Sequence, residues 1–329
     1  MTICILLATY NGGTYLNEQL DSLINQSEKN WLCLIRDDNS KDNTLEVIKS
    51  YCKEDPRFYL VEDELGGQGN AMANFAVLMK EGLKSKANYF FFCDQDDVWL
   101  PNKIETMVCE LNKHDKDNAF LVHHDLEVVD EKLSQIAPSF INYSRLDSDA
   151  SFSRLLGRNT VTGCASACNR KLLELSLPVP EEAMMHDWWL ALMASYLDEL
   201  YFVNQVLGKY RQHSNNVLGA KPFQLNVNFL KMSPKSFQKN LSTFHTTILQ
   251  ARALSMLISK NNFSANSNFV KLQTYSEILT LSKYSRLKAA LKFGFFQKYW
   301  LSKVVSFVKF SIYSSKYHDV KPISESTKK

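Results

Sequence analysis

Short apolar runs alternate with amphipathic segments over the first 130 residues or so of this chain. A continuous apolar run of about four to eight residues predicts a strand buried on both faces. Apolar residues three and four positions apart predict a helix. The predicted strands are residues 3–8, 31–35, 58–61, 89–93 and 120–129. The predicted helices are residues 15–25, 43–51, 70–80 and 103–113.

This alternation of strand and helix predicts an α/β fold with a Rossmann-like, mostly parallel sheet flanked by helices. Asp42 is the predicted N-cap of the second helix. After about residue 225 the pattern changes to helical spacing without clear strands. We therefore expect one domain over residues 1–220, followed by a helical appendage over residues 221–329.

The charge of the chain divides at the same place. Residues 221–329 hold 18 Lys and Arg against 3 Asp and Glu, whereas the first 220 residues hold 20 against 32. Such a difference between two parts of a chain indicates that they have different tasks.

Composition narrows the class of protein. The 329 residues are 45% hydrophobic and 22% charged, which excludes a disordered or collagen-like chain. Seven Cys without a paired metal-binding pattern indicate free thiols in a reducing compartment. The N-terminus lacks the features of a secretory signal, and no apolar run approaches about 18 residues. These features predict a cytoplasmic protein.

Polar side chains follow three of the predicted strands. Thr9-Tyr10-Asn11 follows the first strand, Asp37-Asp38 the second and Asp94-x-Asp96 the fourth. Ligands of such sheets bind outside the carboxyl ends of the strands, so these loops are expected to meet at one crevice. Two carboxylates spaced in this way suit Mg²⁺ or Mn²⁺. An acidic solvated turn, with Asp97 as an N-cap, is the alternative.

Within that crevice, the Tyr10 ring could stack on a base, and Asp38 could accept from a base imide or a ribose hydroxyl. The alternatives are a partly buried turn aromatic at Tyr10 and an Asx-turn at Asp37 and Asp38.

The ordered motifs of the chain resemble one known family. They are Ala8-Thr9-Tyr10-Asn11-Gly12, Arg36-Asp37-Asp38-Asn39-Ser40 and Asp94-Gln95-Asp96-Asp97-Val98-Trp99. Together they are similar to the nucleotide-sugar half of a family 2 glycosyltransferase with the GT-A fold. His186-Asp187-Trp188-Trp189 and Tyr210-Arg211-Gln212-His213 are most similar to its rhamnosyltransferase-like branch. The resemblance implies a catalytic domain over residues 1–220, with the nucleotide-sugar half in about 1–115 and the acceptor half in about 116–220.

The resemblance also implies roles for residues at matching positions. The expected nucleotide-sugar-binding residues are Thr9, Tyr10, Asn11, Asp38, Asp94, Gln95, Arg211 and His213. Arg211 and His213 could both bind the diphosphate once a loop containing Asn215, Asn216 and Gly219 closes, and the alternative for His213 is a surface turn histidine. The expected metal ligands are Asp96, Asp94 and His213, and the expected cofactor is a divalent cation, Mg²⁺ or Mn²⁺.

Asp187 matches the acidic residue that acts as general base in this family. The family's usual pair is Glu-Asp, whereas this chain has His186-Asp187. In an inverting transfer a carboxylate must take the proton of the attacking acceptor hydroxyl. Trp188, Trp189 and Gly163 are the expected sugar or acceptor pocket. The alternatives are helix-core Trp residues, an N-cap at Asp187 and tight strand packing at Gly163.

His123-His124-Asp125 resembles a set of metal ligands, but neighbouring strand residues point to opposite faces. A structural strand end is therefore the favoured interpretation, although Asp125 could still line the acceptor side.

The last part of the chain carries a basic amphipathic pattern. On a helix over residues 287–316, six lysines share an arc of about 140°, and apolar and aromatic residues mostly oppose them. These lysines are Lys288, Lys292, Lys298, Lys303, Lys309 and Lys316. Such a helix suits the membrane interface. A helical appendage packed on the catalytic domain or a partner subunit is the alternative, and Gly294 could break the helix.

The function implied is inverting transfer of a sugar, with rhamnose as a candidate, from a dTDP- or UDP-linked donor to a glycan or lipid-linked acceptor in bacterial surface polysaccharide synthesis. A lipid-linked acceptor implies peripheral contact with the inner face of the cell membrane. The alternatives are a UDP-hexosyltransferase of the same fold, a sugar nucleotidyltransferase and a non-catalytic binding subunit. Nucleic acid is not an expected partner, because the first 220 residues are acidic and no recognition motif occurs.

Overall fold

The first half of the chain forms a parallel sheet from its apolar runs. A computed structural model describes residues 3–63, 66–67, 69–149, 151–214, 219–220, 234–261, 263, 266–296, 298 and 310. Its first four strands are β1 (Ile3–Thr9), β2 (Trp31–Asp37), β3 (Phe58–Leu60) and β4 (Tyr89–Cys93). They lie in the order β3-β2-β1-β4, and every neighbouring pair is parallel. All five residues of β4 are buried, which explains why its sequence is apolar without alternation.

Helices follow these strands and cover the sheet. They are α1 (Leu16–Ile24), α2 (Thr44–Glu54), α3 (Ala71–Gly82) and α4 (Lys103–Leu111). In α1 the buried Leu16, Leu20 and Leu23 recur at helical spacing and join the main core. Asn70 caps α3, because its side chain accepts a hydrogen bond from the Ala73 N–H. Asp42 precedes the N-cap position of α2, which Asn43 occupies, and accepts from the Thr44 N–H.

The second half of the sheet is mixed rather than parallel. Its strands are β5 (Val98–Trp99), β6 (Leu121–Val129), β7 (Gln135–Ala137), β8 (Ser166–Asn169) and β9 (Leu200–Arg211). β8 lies between β4 and β6 and is antiparallel to both. β9 is parallel to β6, and β5 is antiparallel to β9. The prediction of a mostly parallel sheet therefore describes the first half, because strand and helix alternate strictly only there.

Four further helices belong to this part of the chain. They are α5 (Phe140–Ser144), α6 (Phe152–Leu155), α7 (Arg170–Leu175) and α8 (His186–Tyr196). All 11 residues of α8 are buried. A helix buried on all sides carries no amphipathic stripe, so periodicity alone could not have located it.

The chain divides into two compact units. One comprises Met1–Ser148, Val161–Val179 and Met185–Phe223, and contains the whole sheet. The other comprises Asp149–Thr160, Pro180–Met184 and Gln224–Lys329. The second unit therefore also includes short segments that precede residue 220.

Three helices form the described part of the second unit beyond residue 223. They are α9 (Pro234–Lys260), α10 (Ser267–Ser276) and α11 (Lys283–Phe293). The Thr247 hydroxyl lies 2.9 Å from the buried Tyr275 hydroxyl, so α9 and α10 share a polar contact inside this unit. α11 ends before Gly294, whose φ of 69° is left-handed, as expected of a helix C-terminus.

The helix predicted over residues 287–316 lies mostly outside the described residues, including Lys303, Lys309 and Lys316. Asn215 and Asn216, from the loop expected to close over the diphosphate, lie outside the described residues as well. No helix in the described ranges combines the length and apolar character that a membrane span requires.

Candidate active site

The loops after β1 and β2 are joined by hydrogen bonds. The Asp38 N–H donates to the Thr9 carbonyl at 2.9 Å. The Thr9 hydroxyl, itself buried, donates to the Asp37 carboxylate, also at 2.9 Å. Asp37 also accepts from the N–H of Ser40 at 2.8 Å. These bonds fix the backbone on which Asp38 and Tyr10 are presented.

A buried arginine holds the Asp38 carboxylate at the carboxyl end of β2. Its carboxylate lies 3.2 Å from the Arg36 guanidinium and accepts from the Gly69 N–H at 2.8 Å. Arg36 also pairs with Asp63 and donates to the Asn74 amide oxygen. These contacts fix the Asp38 carboxylate as a hydrogen-bond acceptor at the carboxyl end of β2.

The loop after β1 is tied to its neighbours while the ring of Tyr10 stays exposed. Asn11 adopts a left-handed backbone with φ of 48°, and its N–H donates to the Ser40 hydroxyl. Its amide oxygen accepts from the Lys41 N–H at 2.7 Å, so the Asn11 side chain holds the loop. The Tyr10 side chain is 56% exposed, which leaves its ring able to stack on a planar ligand.

The acidic loop after β4, residues 94–97, makes two contacts at the end of β9 and just beyond it. The Asp96 carboxylate lies 2.8 Å from the Nε2 atom of His213, just beyond the end of β9. The buried Asp97 accepts from the Arg211 N–H at 3.1 Å. Asp97 therefore joins the loop to the sheet, whereas Asp96 and His213 bring a carboxylate and an imidazole together.

These side chains fit a divalent cation by the chemistry of their donor atoms. A carboxylate oxygen and a ring nitrogen suit Mn²⁺, and carboxylates suit Mg²⁺. Asp94, the third predicted metal ligand, belongs to a different cluster of side chains. Its ligand atom and those of Asp97 and Cys164 lie within 4.8 Å of one another. Burial raises the pKa of the Cys164 thiol well above its usual range, and a protonated thiol is a poor ligand for a hard cation. The pair of Asp96 and His213 is therefore the better candidate.

Charges at both ends of the candidate site affect the pKa of Asp94. Burial, and then the charges of Asp96 and Asp187, raise the pKa of Asp94 to about 7. The two regions are also joined through the chain, because the Gly163 N–H donates to Asp187 at 2.9 Å and the sulfur of the next residue, Cys164, lies within 4.8 Å of the ligand atoms of Asp94 and Asp97. Asp94, Asp96 and Asp187 thus belong to one negatively charged region, which a bound cation would stabilise.

Asp187, in the first turn of α8, is largely buried. One carboxylate oxygen accepts from the Gly163 N–H at 2.9 Å, and the other from the Trp188 N–H at 2.6 Å. A Cβ atom added at Gly163 would lie 2.8 Å from the Nε2 atom of His186 and 3.6 Å from the Asp187 carboxylate. Glycine is therefore required there by the close approach of the neighbouring side chains.

His186 is a neutral neighbour of that carboxylate. Its ring stacks on Phe75 with centroids 3.8 Å apart, and burial lowers its pKa to about 3. Neither ring nitrogen has a hydrogen-bond partner among the described residues. Because the imidazole stays neutral, it adds no positive charge that would reduce the basicity of Asp187.

The two tryptophans after Asp187 belong to the core. Trp188 is 7% exposed and Trp189 is 1% exposed, and the Trp189 indole donates to the Ser176 carbonyl at 2.9 Å. A sugar could not stack on a ring with so little exposed surface. The predicted pocket role of Trp189 is therefore not compatible with its position, because packing against α7 takes the ring out of the site.

Arg211 also differs from its predicted role. It is 1% exposed and donates to the carbonyls of Asp96 and Glu131 at 2.7 and 2.6 Å. It also pairs with Glu18 and lies over the Tyr15 ring. A guanidinium whose donors are used in this way is not available to a diphosphate. Arg211 instead holds the acidic loop in place.

The strand residues His123 and His124 are buried, and Asp125 accepts from the Ser139 hydroxyl at 2.5 Å and the Ile141 N–H at 3.0 Å. Asp125 thereby fixes the start of α5. These contacts are those of a structural strand end.

Two residues of the site region carried no predicted role. Arg36 lies within a quoted motif, but nothing in the sequence shows that it turns inward to Asp38. Lys103 begins α4 and is 1% exposed, although a lysine at a helix start is ordinarily solvated. The only signal for Lys103 was its short distance in sequence from the acidic loop.

The chain is similar in sequence to known proteins over much of its length. The sequence model of the family described as "Glycosyl transferase family 2" matches residues 4–175, more than half of the chain. An uncharacterised glycosyltransferase of Rickettsia typhi is 31% identical over 216 residues, which cover 64% of each chain. The dTDP-rhamnosyl transferase RfbG of Shigella flexneri is 26% identical over 221 residues, covering 65% of this chain and 74% of its own.

Solved structures show the same fold. TarS residues 1–349 of S. aureus, in complex with UDP-GlcNAc, superimposes with a TM-score of 0.55 at 13% identity and covers 94% of this chain and 90% of its own. GalNAc-T7 with UDP, GalNAc and Mn²⁺ gives a TM-score of 0.56 at 13% identity, covering 85% and 57%. The architecture is thus the GT-A fold predicted from the motifs.

Proposed function

This chain belongs to glycosyl transferase family 2, and we propose that it is a metal-dependent, inverting glycosyltransferase that uses a nucleoside-diphosphate sugar. One observation carries the proposal. The Gly163–Ala165 turn carries it: the Gly163 N–H donates to the Asp187 carboxylate at 2.9 Å, and the Cys164 sulfur lies within 4.8 Å of the ligand atoms of Asp94 and Asp97, which supports one site for the diphosphate and the acceptor.

The nucleoside binds at the carboxyl ends of β1 and β2. The exposed Tyr10 ring stacks on the base, and Asp38 accepts a hydrogen bond from the base or the ribose. Thr9, Asn11 and Gln95 act mainly on the backbone around Tyr10, since their side chains form hydrogen bonds with neighbouring loops.

The diphosphate binds at the acidic loop. Asp96 and His213 would hold the divalent cation, with Asp94 beside them, and a bound cation neutralises the charge that develops on the leaving diphosphate. Arg211 supports this end of the site by holding the Asp96 carbonyl.

Asp187 is the general base. It takes the proton of the acceptor hydroxyl while that oxygen attacks the anomeric carbon from the side opposite the diphosphate. The bond to the diphosphate breaks as the new glycosidic bond forms, which inverts the anomeric configuration. The Gly163 N–H orients the carboxylate, and the neutral His186 leaves it basic.

Rhamnose from a dTDP-linked donor is the proposed sugar, supported by the resemblance of the His186-Asp187 motif and by similarity to RfbG. Transfer of a hexose or N-acetylhexosamine from a UDP-linked donor is the alternative. It is supported by the shared fold with TarS, whose structure contains UDP-GlcNAc.

The acceptor is proposed to be a glycan carried on a lipid, as part of bacterial surface polysaccharide synthesis. α11 supports this with Lys288 and Lys292 close to Tyr284 and Leu291, which are 78% and 70% exposed. Lysines next to exposed apolar groups suit an anionic lipid surface. Sedimentation with vesicles containing phosphatidylglycerol, compared with neutral vesicles, tests this contact.

A panel of sugar nucleotides tests the function. The protein is incubated with dTDP-, UDP- and GDP-linked sugars, with and without Mg²⁺ or Mn²⁺, and release of nucleoside diphosphate is measured. The proposal expects saturable release from one donor that depends on the cation. Release from none of the donors under any condition, by a protein shown to be folded, would contradict it.

A further inference from the structure

A buried lysine lies under the acidic loop and has no part in the chemistry proposed so far. Lys103, the first residue of α4, is 1% exposed. Its ammonium nitrogen donates to the Cys164 carbonyl at 2.5 Å and lies 3.7 Å from the centre of the Trp99 ring. Burying an ammonium group is unfavourable unless nearby groups compensate it, so this position requires an explanation.

The surroundings of Lys103 supply that compensation in three ways. The carboxylates of Asp94 and Asp97 are close enough to interact with its charge, and the Trp99 ring accepts a cation–π contact. The carbonyl of Cys164 takes a short hydrogen bond. Lys103 can therefore act as a counter-charge for the acidic loop, as an anchor for the Cys164 carbonyl, or as both.

The anchored carbonyl belongs to the short 3-10 turn Gly163–Ala165. This turn connects the two ends of the proposed site. The Gly163 N–H donates to the Asp187 carboxylate at 2.9 Å, and the Cys164 sulfur lies near Asp94 and Asp97. A displacement of the Cys164 carbonyl would therefore move the neighbouring Gly163 N–H, the donor that orients Asp187.

We propose that Lys103 is a positioning residue for the general base: by holding the Cys164 carbonyl it fixes the Gly163–Ala165 turn and thereby the orientation of Asp187. This inference rests on the proposed function, in which Asp187 deprotonates the acceptor. A lysine donates this hydrogen bond whether it is charged or neutral, so the anchor is independent of its titration.

The test separates the anchor from the counter-charge. Lys103→Met removes both. Combining it with Asp97→Asn also removes the acidic group that interacts with Lys103, so that Asp97 is not left without that interaction. The amide oxygen introduced by Asp97→Asn can still accept from the Arg211 N–H, as the Asp97 carboxylate does. Asp97→Asn alone is the reference for the double variant, so that any effect of Asp97 itself cancels.

The measurements are Tm, kcat and KM for the donor that the wild-type protein uses, with release of nucleoside diphosphate as the signal. We expect the double variant to regain the Tm that Lys103→Met loses. Its kcat should stay below that of Asp97→Asn by between about tenfold and hundredfold, because a small misplacement of a catalytic group costs about that much. Its KM for the donor should equal that of the reference.

Three results would overturn the proposal. In the first, kcat of the double variant equals that of Asp97→Asn, which would make Lys103 a counter-charge only. In the second, the loss appears in KM with kcat unchanged. In the third, the double variant does not fold, which would make Lys103 part of the core. A wild-type protein that uses no donor would instead refute the proposed function itself, and so the two failures are distinguishable.

Discussion

The side-chain amide of Gln95 makes two hydrogen bonds with the backbone of Tyr10. Its oxygen accepts from the Tyr10 N–H at 2.7 Å, and its nitrogen donates to the Tyr10 carbonyl at 3.0 Å. The loop after β4 thus holds the loop after β1 as a neighbouring strand would. Because Tyr10 is proposed to stack on the base and Asp96 to hold the cation, this contact sets the spacing between the two halves of the donor site.

Gly12→Ala should break this contact. A Cβ atom at position 12 would lie 2.2 Å from the Gln95 amide oxygen, so Gln95 must turn away and lose both bonds. Two hydrogen bonds contribute about 1 kcal/mol each, so we expect nucleoside-diphosphate affinity to fall by about tenfold or more. Titration calorimetry with the nucleotide of the preferred donor measures this.

Combining Gly12→Ala with Gln95→Ala is the control. The smaller side chain removes the clash, so Tm should recover, whereas nucleotide affinity should stay low because the two bonds are still absent. Wild-type affinity in the double variant would show that the Gln95 contact does not organise the donor site.

Replacing Arg211 should lower the free energy of unfolding rather than act directly on substrate binding. Arg211→Met leaves the buried end of β9 without the ion pair and the bonds to the Asp96 and Glu131 carbonyls. A polar group left without its hydrogen-bond partner inside the protein costs about 1–3 kcal/mol, whereas the ion pair contributes less because Glu18 is half-exposed. Denaturant unfolding should show that loss of stability. Lys84→Met, which removes an exposed pair with Glu81, should change nothing measurable.

His213→Gln should weaken metal activation. The substitution removes the imidazole next to the Asp96 carboxylate, so the Mn²⁺ concentration for half-maximal activity should rise by at least about tenfold. His114→Gln is a matched control, because His114 stacks on Tyr201 instead. Equal metal dependence of the two variants would exclude His213 as a ligand.

The raised pKa of Asp94 predicts the pH dependence of stability in the metal-free protein. The folded protein keeps a proton on Asp94 up to about pH 7, whereas the unfolded chain releases it near its ordinary pKa of about 4. The folded form therefore binds more protons between these values, and Asp94 destabilises the fold increasingly as pH rises through this window.

Asp94→Asn removes this titration. The Tm of the variant relative to wild type should therefore increase by a few degrees between about pH 5 and pH 8. The buried His186, whose pKa is lowered to about 3, has the opposite effect on both proteins and therefore cancels in the difference between them. A Tm difference that is the same at both pH values would contradict the assignment.

The sequence allowed the nucleotide half of the fold to be predicted, because β1 and β4 are almost completely buried and β1, β2 and β4 all contain apolar runs. It did not allow β5, β7 or β9 to be predicted. β9 combines half-buried, exposed and buried positions without a regular period, and β5 has only two residues. The burial of α8 likewise removed the periodicity that identifies a helix.

The candidate site residues that end a strand could be assigned to one edge of the sheet, since strand ends can be read from the sequence. The orientation of a side chain cannot be read in this way. Arg211 turns inward to Glu18, a residue nearly two hundred positions away, and Trp189 turns towards Ser176. Such long-range partners decide whether a polar group faces a ligand or the protein.

The most direct test of the account is Asp187→Asn, compared with wild type and with Glu181→Gln, an exposed carboxylate close to it in sequence. With the preferred donor and its cation, Asp187→Asn should lower kcat by about 10²–10⁴-fold, the usual contribution of a general base. Its affinity for the nucleoside diphosphate should be unchanged, and Glu181→Gln should match wild type in both. Turnover of Asp187→Asn at the wild-type rate would contradict the assignment of the base.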